Sequence, residues 1–400
     1  MINPDLGSWC EISVEAIAAN ISTMRQGLSP HTKLGIVVKG NAYGHGLVLC
    51  AREFVEAGVD WLVVNSAREA AGLRAAGIGA PVYICGPIFP AEAEEIARIR
   101  ASAVISDETT AAALARAGCE AGRAVGVHIK VETGTNRQGV SAAVALELGR
   151  EVLRLKGVRL EGLTTHFADI EDTTDHGFAR SQLRILEQTA RDFLAADLAV
   201  PMVHAANSAA TLTWPQAHAD LVRVGIAAYG LWPSRETYAT VLERRMGAGE
   251  SSIPKLRPVL SWKARVAQIR AVAEGEYIGY GRTFRATHPM RIAVLPVGYY
   301  EGYDRRFSNI GYALINGVRA PIRGRICMNM AMVEITHITG VEQGSIATLL
   351  GRDGEEELSA EAWADWMKSI NYEAVTRIHP DQPRYLRLAD GKIEQGESNG

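Results

Sequence analysis

Four hundred residues exceed what one hydrophobic core usually organises, so two domains are expected. With 47% apolar and 22% charged residues and a net charge of -3, the composition argues against nucleic acid or an anionic membrane as the main partner and favours small metabolites. The five cysteines, Cys10, Cys50, Cys85, Cys119 and Cys327, are odd in number and scattered; this excludes a paired zinc or secreted-disulfide framework and leads us to expect a reduced, cytoplasmic setting and no metal. MINPDLGSWCEIS has neither a basic start nor an apolar core, and no apolar run reaches membrane-spanning length, so neither export nor membrane insertion is expected.

Eight short apolar runs, separated by mostly helical stretches, fill residues 33 to 225: KLGIVV, VDWLVV, PVYIC, SAVIS, VGVHIKV, RLEGLTTHF, VPMVHA and DLVRVG. Between them, SAREAAGLRAAG opens with Ser66 and Glu69 in capping-box register and ends at Gly77, and DETTAAALARAG opens at Asp107 and is expected to stop at Gly118. Eight strands alternating with helices predict an α/β fold, a closed (β/α)8 TIM-type barrel over residues 1–250. No GxGxxG follows the first strand, which weakens the dinucleotide-binding alternative.

Near residue 250 the texture changes. The polar segment from Pro233 to Pro254 reads as a connection between domains, and VLSWKARVAQIRAV, RIAVLPVGYY, GYALINGVRAPIRG and AMVEITHI then follow as strand-like runs. Asn316-Gly317 predicts a two-residue hairpin, and one late helix begins after Ser359. Residues 251–390 are therefore expected to form a mainly antiparallel β domain, with 391–400 as a tail.

Active sites of (β/α)8 barrels lie at the carboxyl ends of the strands. Lys39 ends the first run; a lysine there is commonly a snorkelling surface cation, but one shielded from water loses its proton more readily and can attack a carbonyl. Lys130 ends the fifth, followed by a glycine-bearing loop in which Arg137 could grip a carboxylate bidentately. His166 sits at the rim after the sixth run, where a lone histidine is as readily structural as catalytic. His204, Asn207 and Ser208 follow the seventh, ahead of a short helix whose first amides suit a phosphate. Arg223, flanked by apolar residues of the eighth, must have an acceptor to be buried there.

The strings KGNAYGHG, ETGTNRQG, THFA, HAANSAA, VRVGIAAYG, IGYGRTF, VGYYEG, RICMNM and INYE occur in this order along nearly the whole chain. Taken together they resemble the alanine racemase family, whose pyridoxal 5'-phosphate sits on a barrel lysine. The resemblance implies a homodimer with shared active sites that interconverts L-alanine and D-alanine by a two-base mechanism and supplies D-alanine for bacterial cell-wall peptidoglycan. It makes Lys39 the cofactor lysine and one base, and Tyr280 of the partner subunit the other. It implies that Tyr43, Ser208, Gly225, Ile226 and Tyr372 hold the cofactor phosphate, that Arg223 faces the pyridine nitrogen, and that His166 lies beside Arg223 and the ring. Arg137 and the backbone around Met328 of the partner subunit would bind the substrate carboxylate, and Tyr299 would narrow the entrance. In some members the lysine corresponding to Lys130 is carbamylated and steadies the carboxylate-binding arginine. The resemblance would also place WCEIS, near residues 9–13, in the sheet of the β domain.

Three places depart from the family pattern. Asn329 and Met330 replace a common Asp-Gln pair, Tyr299-Tyr300-Glu301 stands in place of Tyr-Ala-Asp, and TGTNR replaces TGMGR. These leave open a broader racemase acting on serine or on basic amino acids. A non-catalytic pyridoxal-phosphate carrier would lack the second domain and Tyr280, and a basic amino acid decarboxylase would need a glycine-triplet phosphate loop and a catalytic cysteine segment that this chain does not show.

Overall fold

Each of the eight apolar runs forms one strand of a single parallel sheet in this computed structural model, which describes residues 6–249 and 253–395. The chain begins with β1 (Ser8–Ser13) and continues through β2 (Lys33–Val37), β3 (Trp61–Val64), β4 (Val82–Ile84), β5 (Ser102–Ile105), β6 (Val125–Lys130), β7 (Val158–Thr164), β8 (Met202–His204) and β9 (Leu221–Val224). The strand order β8-β7-β6-β5-β4-β3-β2-β9 wraps the first strand of the sheet against the last, Gly35 lying opposite Arg223. At the remaining seam, Asp220 N–H donates to Val203 at 3.2 Å and Arg223 N–H to Ala206 at 2.9 Å. The strands are largely apolar because a barrel buries both of their faces, with polar exceptions on β6, β7, β8 and β9.

Two sequence cues form as expected and one does not. Ser66 and Asp107 cap the helices Ala67–Ala75 and Glu108–Glu120, accepting from the amides of Glu69 and Thr110 at 3.3 and 2.7 Å. Gly118, however, does not stop its helix, which runs two residues further to Glu120. A Cβ at Gly118 would collide with the Gly157 carbonyl, so the glycine serves close packing rather than termination. The expected connection from Pro233 to Pro254 is likewise corrected: Arg235–Gly247 is a helix, capped by Ser234 on Thr237 N–H at 2.9 Å and anchored by the buried Val241. Its polar exterior hid it from a periodicity reading. The expected domain boundary at 250/251 and residues 396–400 of the tail lie outside the described residues.

By packing, the chain divides into two compact units. One comprises Ile17–Lys39 and Ala51–Arg257; the other comprises the described residues of Met1–Ala16, Gly40–Cys50 and Pro258–Gly400. In the second unit β1 pairs antiparallel with Leu260–Arg265 and parallel with Arg384–Arg387. A separate three-stranded antiparallel sheet joins Gln268–Val272, Met290–Leu295 and Ala331–Glu334. Asn316 and Gly317, both with positive φ (53° and 73°), turn the hairpin between Tyr312–Ile315 and Val318–Pro321, as the dipeptide predicts. Trp262, Trp363, Tyr303 and Phe307, all buried, pack ring on ring to form the core beneath the larger sheet. No helix among the described residues is long and apolar enough to cross a membrane.

Candidate active site

The carboxyl ends of the barrel strands gather a cationic cluster. Burial first, and then the charges of Lys130, Arg223, Arg137 and Lys39, hold His166 well below its ordinary value, so four cations bear on one imidazole. Lys130 is itself pushed down to about 7, by burial and by Arg223 and Arg137, with Cys85 and Glu132 opposing. Lys39 is exposed: the burial of its strand ends at Val38, and the protein around it does not supply the shielding from water expected from its position.

Arg223 is 7% exposed and well supplied with acceptors. Its Nη2 donates to the carbonyls of Thr165 and Ala205 at 2.8 and 3.0 Å, and its Nη1 donates to Nδ1 of His204. Since an arginine can only donate, His204 Nδ1 must carry the lone pair and Nε2 the proton. That proton faces His128 Nδ1 at 2.9 Å, and His128 Nε2 in turn faces the Glu161 carboxylate at 3.4 Å. Burial lowers both histidines, with Arg223 adding to it, so both are neutral at physiological pH. Burial would raise Glu161, but His128, Ser102 and Arg159 bring it down to about 2. A barrel interior usually filled by branched apolar residues here holds a polar column from Arg223 to Glu161, and Gly162 leaves the room that the His128 ring takes.

The loop from Val131 to Val140 leaves β6 and folds back on it, Glu132 N–H donating to Val140 at 2.8 Å and Val140 N–H to Lys130 at 2.9 Å. It carries the exposed Arg137. Burial would raise Glu132, yet the amides of Asn136, Gly134, Thr135 and Arg137 hold its carboxylate below the ordinary range, so the loop is wound around this side chain. Thr135 Oγ1 donates to the His166 carbonyl at 2.9 Å, and the fully buried Gln182 donates to Thr133 Oγ1 and to the same carbonyl at 3.1 and 3.2 Å. The arginine loop and the His166 rim are thereby one hydrogen-bonded piece.

Ser208, Gly225 and the turn from Ile226 lie together: Ser208 Oγ accepts from Gly225 and Ala227 N–H at 2.8 and 3.4 Å. Asn207 caps the helix Ser208–Thr213 by accepting from Ala210 N–H at 3.0 Å.

In the β unit, Gly40, Asn41, Ala42 and Tyr43 all have φ between 52° and 63°, a run of left-handed residues that L side chains rarely adopt. Gly44 follows with its carbonyl held by Arg384 Nε and Nη2 at 2.9 and 2.7 Å and with no room for a Cβ against the Val375 carbonyl. Tyr43 and Tyr372 meet, ring centroids 6.0 Å apart. Tyr299 and Met328 lie on neighbouring segments, Tyr299 N–H donating to Cys327 at 3.2 Å and Tyr300 N–H to Met328 at 2.9 Å. Tyr280 stands on a separate turn beside Arg325 and is 72% exposed.

Sequence reasoning missed Glu132, Thr165, Gln182 and His128. Gln182 had a signal: it interrupts the apolar stripe Ala179, Leu183, Leu186 and Phe193 of the helix Gly177–Ala195. The cluster of His288, Glu334 and His337, with ligand atoms within 4.8 Å of one another, was missed as well.

The sequence profile of "Alanine racemase, N-terminal domain" matches residues 12–233, and that of "Alanine racemase, C-terminal domain" matches 259–386. An alanine racemase of Leptospira interrogans is 38% identical over 95% of each chain. The structure of a Bacillus anthracis alanine racemase with bound L-Ala-P is 31% identical, covers 97% of this chain and 96% of its own, and superimposes with a TM-score of 0.86. A Bartonella henselae alanine racemase with covalently bound pyridoxal phosphate is 25% identical, covers 95% of this chain and 99% of its own, and gives 0.79.

Proposed function

The chain belongs to the alanine racemase family, and from that premise we propose that it interconverts L-alanine and D-alanine with pyridoxal 5'-phosphate, by two bases acting on opposite faces of the substrate. The observation that carries the reading is the cluster in which Lys39, Arg137 and Arg223 all bear on His166, a concentration of positive charge that suits an anionic cofactor and a carboxylate substrate.

The donor set fits the cofactor. Arg223 spends Nη1 and Nη2 on His204, Thr165 and Ala205, leaving Nε without a hydrogen bond among the described residues and able to donate to a ring nitrogen. Lys39 would bear the cofactor, and Tyr43, Ser208, Gly225, Ile226 and Tyr372 would hold its phosphate. When bound, pyridoxal phosphate withdraws electrons from the α carbon. Arg223 keeps the ring nitrogen free of a proton, because a second positive charge beside the guanidinium is repelled. Lys39 takes the α proton from one face and the partner subunit's Tyr280 returns one on the other; a single base does not easily serve both directions. Arg137 and the backbone around the partner subunit's Met328 grip the carboxylate, Tyr299 narrows the entrance, and His166 stays neutral beside the ring.

Lys130, lowered to about 7, has an appreciable neutral fraction at physiological pH. Its Nζ can then add to carbon dioxide with loss of one proton, and the resulting carbamate would steady Arg137. The working unit is a homodimer: Tyr280, Tyr299, Tyr300, Met328 and Met330 are each at least 43% exposed on a single chain, an apolar set that a partner would cover. We place the enzyme in the cytoplasm, supplying D-alanine for peptidoglycan. The deciding experiment follows optical rotation and carbon dioxide release from L-alanine with the purified, cofactor-loaded protein. Rotation falling to zero with the amino acid conserved supports the reading; gas release indicates a decarboxylase, and unchanged rotation a carrier.

A further inference from the structure

His288, Glu334 and His337 form a second chemically competent cluster in the β unit, none of them among the residues proposed for catalysis or for binding cofactor and substrate. Their backbone is fixed. Glu334 ends the strand Ala331–Glu334 and lies opposite Ile292, Ile335 N–H extends that pairing to the Arg291 carbonyl at 2.8 Å, and His288 stands two residues ahead of the same neighbouring strand. His337 follows in a turn closed by Ile338 N–H on the Ile335 carbonyl at 3.0 Å.

The side chains are also arranged. Glu334, 7% exposed, gives Oε2 to Arg323, whose Nε and Nη2 both approach it at 2.8 Å. Its Oε1 accepts from Thr336 Oγ1 at 3.1 Å and faces His288 Nε2 at 3.2 Å. The other nitrogen of His288, Nδ1, lies 3.2 Å from Thr287 Oγ1, and the rings of His288 and His337 are nearly parallel, with centroids 6.3 Å apart.

We propose that His288, Glu334 and His337 bind one divalent first-row transition ion, zinc being the reference, with solvent completing the coordination. Two imidazoles and a carboxylate are a ligand set this class of ion accepts, with bonds of about 2.0–2.2 Å. Such bonds place neighbouring ligand atoms about 3.3 Å apart in a tetrahedron; the His288–Glu334 pair already stands at 3.2 Å, and all three ligand atoms lie within 4.8 Å. His337 is exposed, and rotation about its χ angles closes the remainder. Arg323 and Thr287 are the outer partners that orient the carboxylate and the imidazole. Because Arg323 offsets the charge of Glu334, binding is weaker than at a site whose carboxylate is unpaired.

The test is calorimetric titration of zinc chloride into the intact cofactor-loaded protein and into His288→Ala and His337→Ala, with zinc-edge anomalous scattering from crystals soaked at the same concentration. Thiols and cofactor also take up zinc, so the readout is the difference between proteins. One equivalent present in the wild type and lost in both variants, an anomalous peak between the three side chains, and a zinc-dependent rise in thermal midpoint seen only in the wild type support the site. Thr287→Val should weaken it about 10-fold or more. Isotherms that are the same in wild type and His337→Ala, or no peak at the cluster, reduce it to an ion pair between His288 and Glu334 and overturn the proposal.

Discussion

Arg223 donates through Nη1 to Nδ1 of His204, and this single bond sets the tautomers of the two histidines behind it. The arginine that we propose to face the pyridine nitrogen is thus held by a neutral acceptor, its charge left whole. His204→Leu would strip an acceptor from a buried guanidinium at a cost of about 1–3 kcal/mol or more. His204→Gln, which can accept from Arg223 and donate toward His128, should recover most of that. Chemical denaturation of both variants is the check, and equal losses would mean that shape, not the hydrogen-bond chain, is what His204 provides.

The same histidines make a pH prediction. His204 and His166 lie well below their ordinary value of 6.5, His128 is lowered, and His45 falls to about 4, burial being the main cause in each case. The unfolded chain therefore binds protons at a higher pH than the folded one. Their contribution to stability is complete above pH 6.5 and is lost progressively as pH falls below it. Thermal midpoints should decline from about pH 6.5 downward, with His204→Gln showing a shallower decline. A midpoint unchanged down to pH 4 would contradict the burial of neutral imidazoles.

Lys39 should carry the cofactor. The holoprotein is expected to be yellow, and borohydride should fix the cofactor on the peptide containing Lys39. Recovery of the adduct on Lys33 or Lys130 would require another lysine to be the attachment point.

The barrel was legible because burial on both faces writes most of its strands as short, largely apolar runs between helical stretches. The proposed site was legible where one strand end carries its own functional group, as with Lys39, Lys130 and Arg223. What escaped notice depends on contacts between residues distant in sequence. Gly118 looked like a helix stop until the Gly157 carbonyl appeared beside it. Glu132 and Gln182 hold the Arg137 loop from the inside, where sequence shows only a charged residue in a loop and a polar residue in a helix. His288 lies 46 residues from Glu334, and nothing local marks either as the other's partner.

The proposed sharing of active sites predicts complementation. If Lys39 and Tyr280 act from different subunits, mixing inactive Lys39→Ala and Tyr280→Phe chains under conditions of verified subunit exchange should restore activity to one site per dimer, since one pocket inherits both intact groups. A mixture that stays inactive would place both bases on one chain or show that one of them is misassigned.

The proposed substrate pocket gives the final prediction. Two departures from the family pattern contact each other: Asn329 Nδ2 donates to Glu301 Oε1 at 2.7 Å, while Glu301 Oε2 accepts from Gly298 N–H at 2.8 Å. With the bonds from Tyr299 and Tyr300 to Cys327 and Met328, this ties the segment bearing Tyr299 to the one bearing Met328. Tyr300 stacks on His379, centroids 4.8 Å apart, and His379 N–H donates to the Glu301 carbonyl at 3.0 Å, so the segment has little freedom to retreat from a long side chain. If Tyr299, the partner subunit's Met328 and Tyr372 crowd the α carbon, a methyl group fits, whereas displacing a held aromatic costs more than the roughly 0.8 kcal/mol gained per buried methylene. Alanine should therefore have the highest kcat/KM, serine a lower one, and lysine and arginine poor ones. Asn329→Ala should narrow the gap between alanine and serine by loosening the tie, with little change in overall stability because the bond is exposed. A kcat/KM for lysine or arginine at or above that for alanine would identify a broad-specificity racemase, and the Glu301–Asn329 contact would then be a feature of a wider pocket.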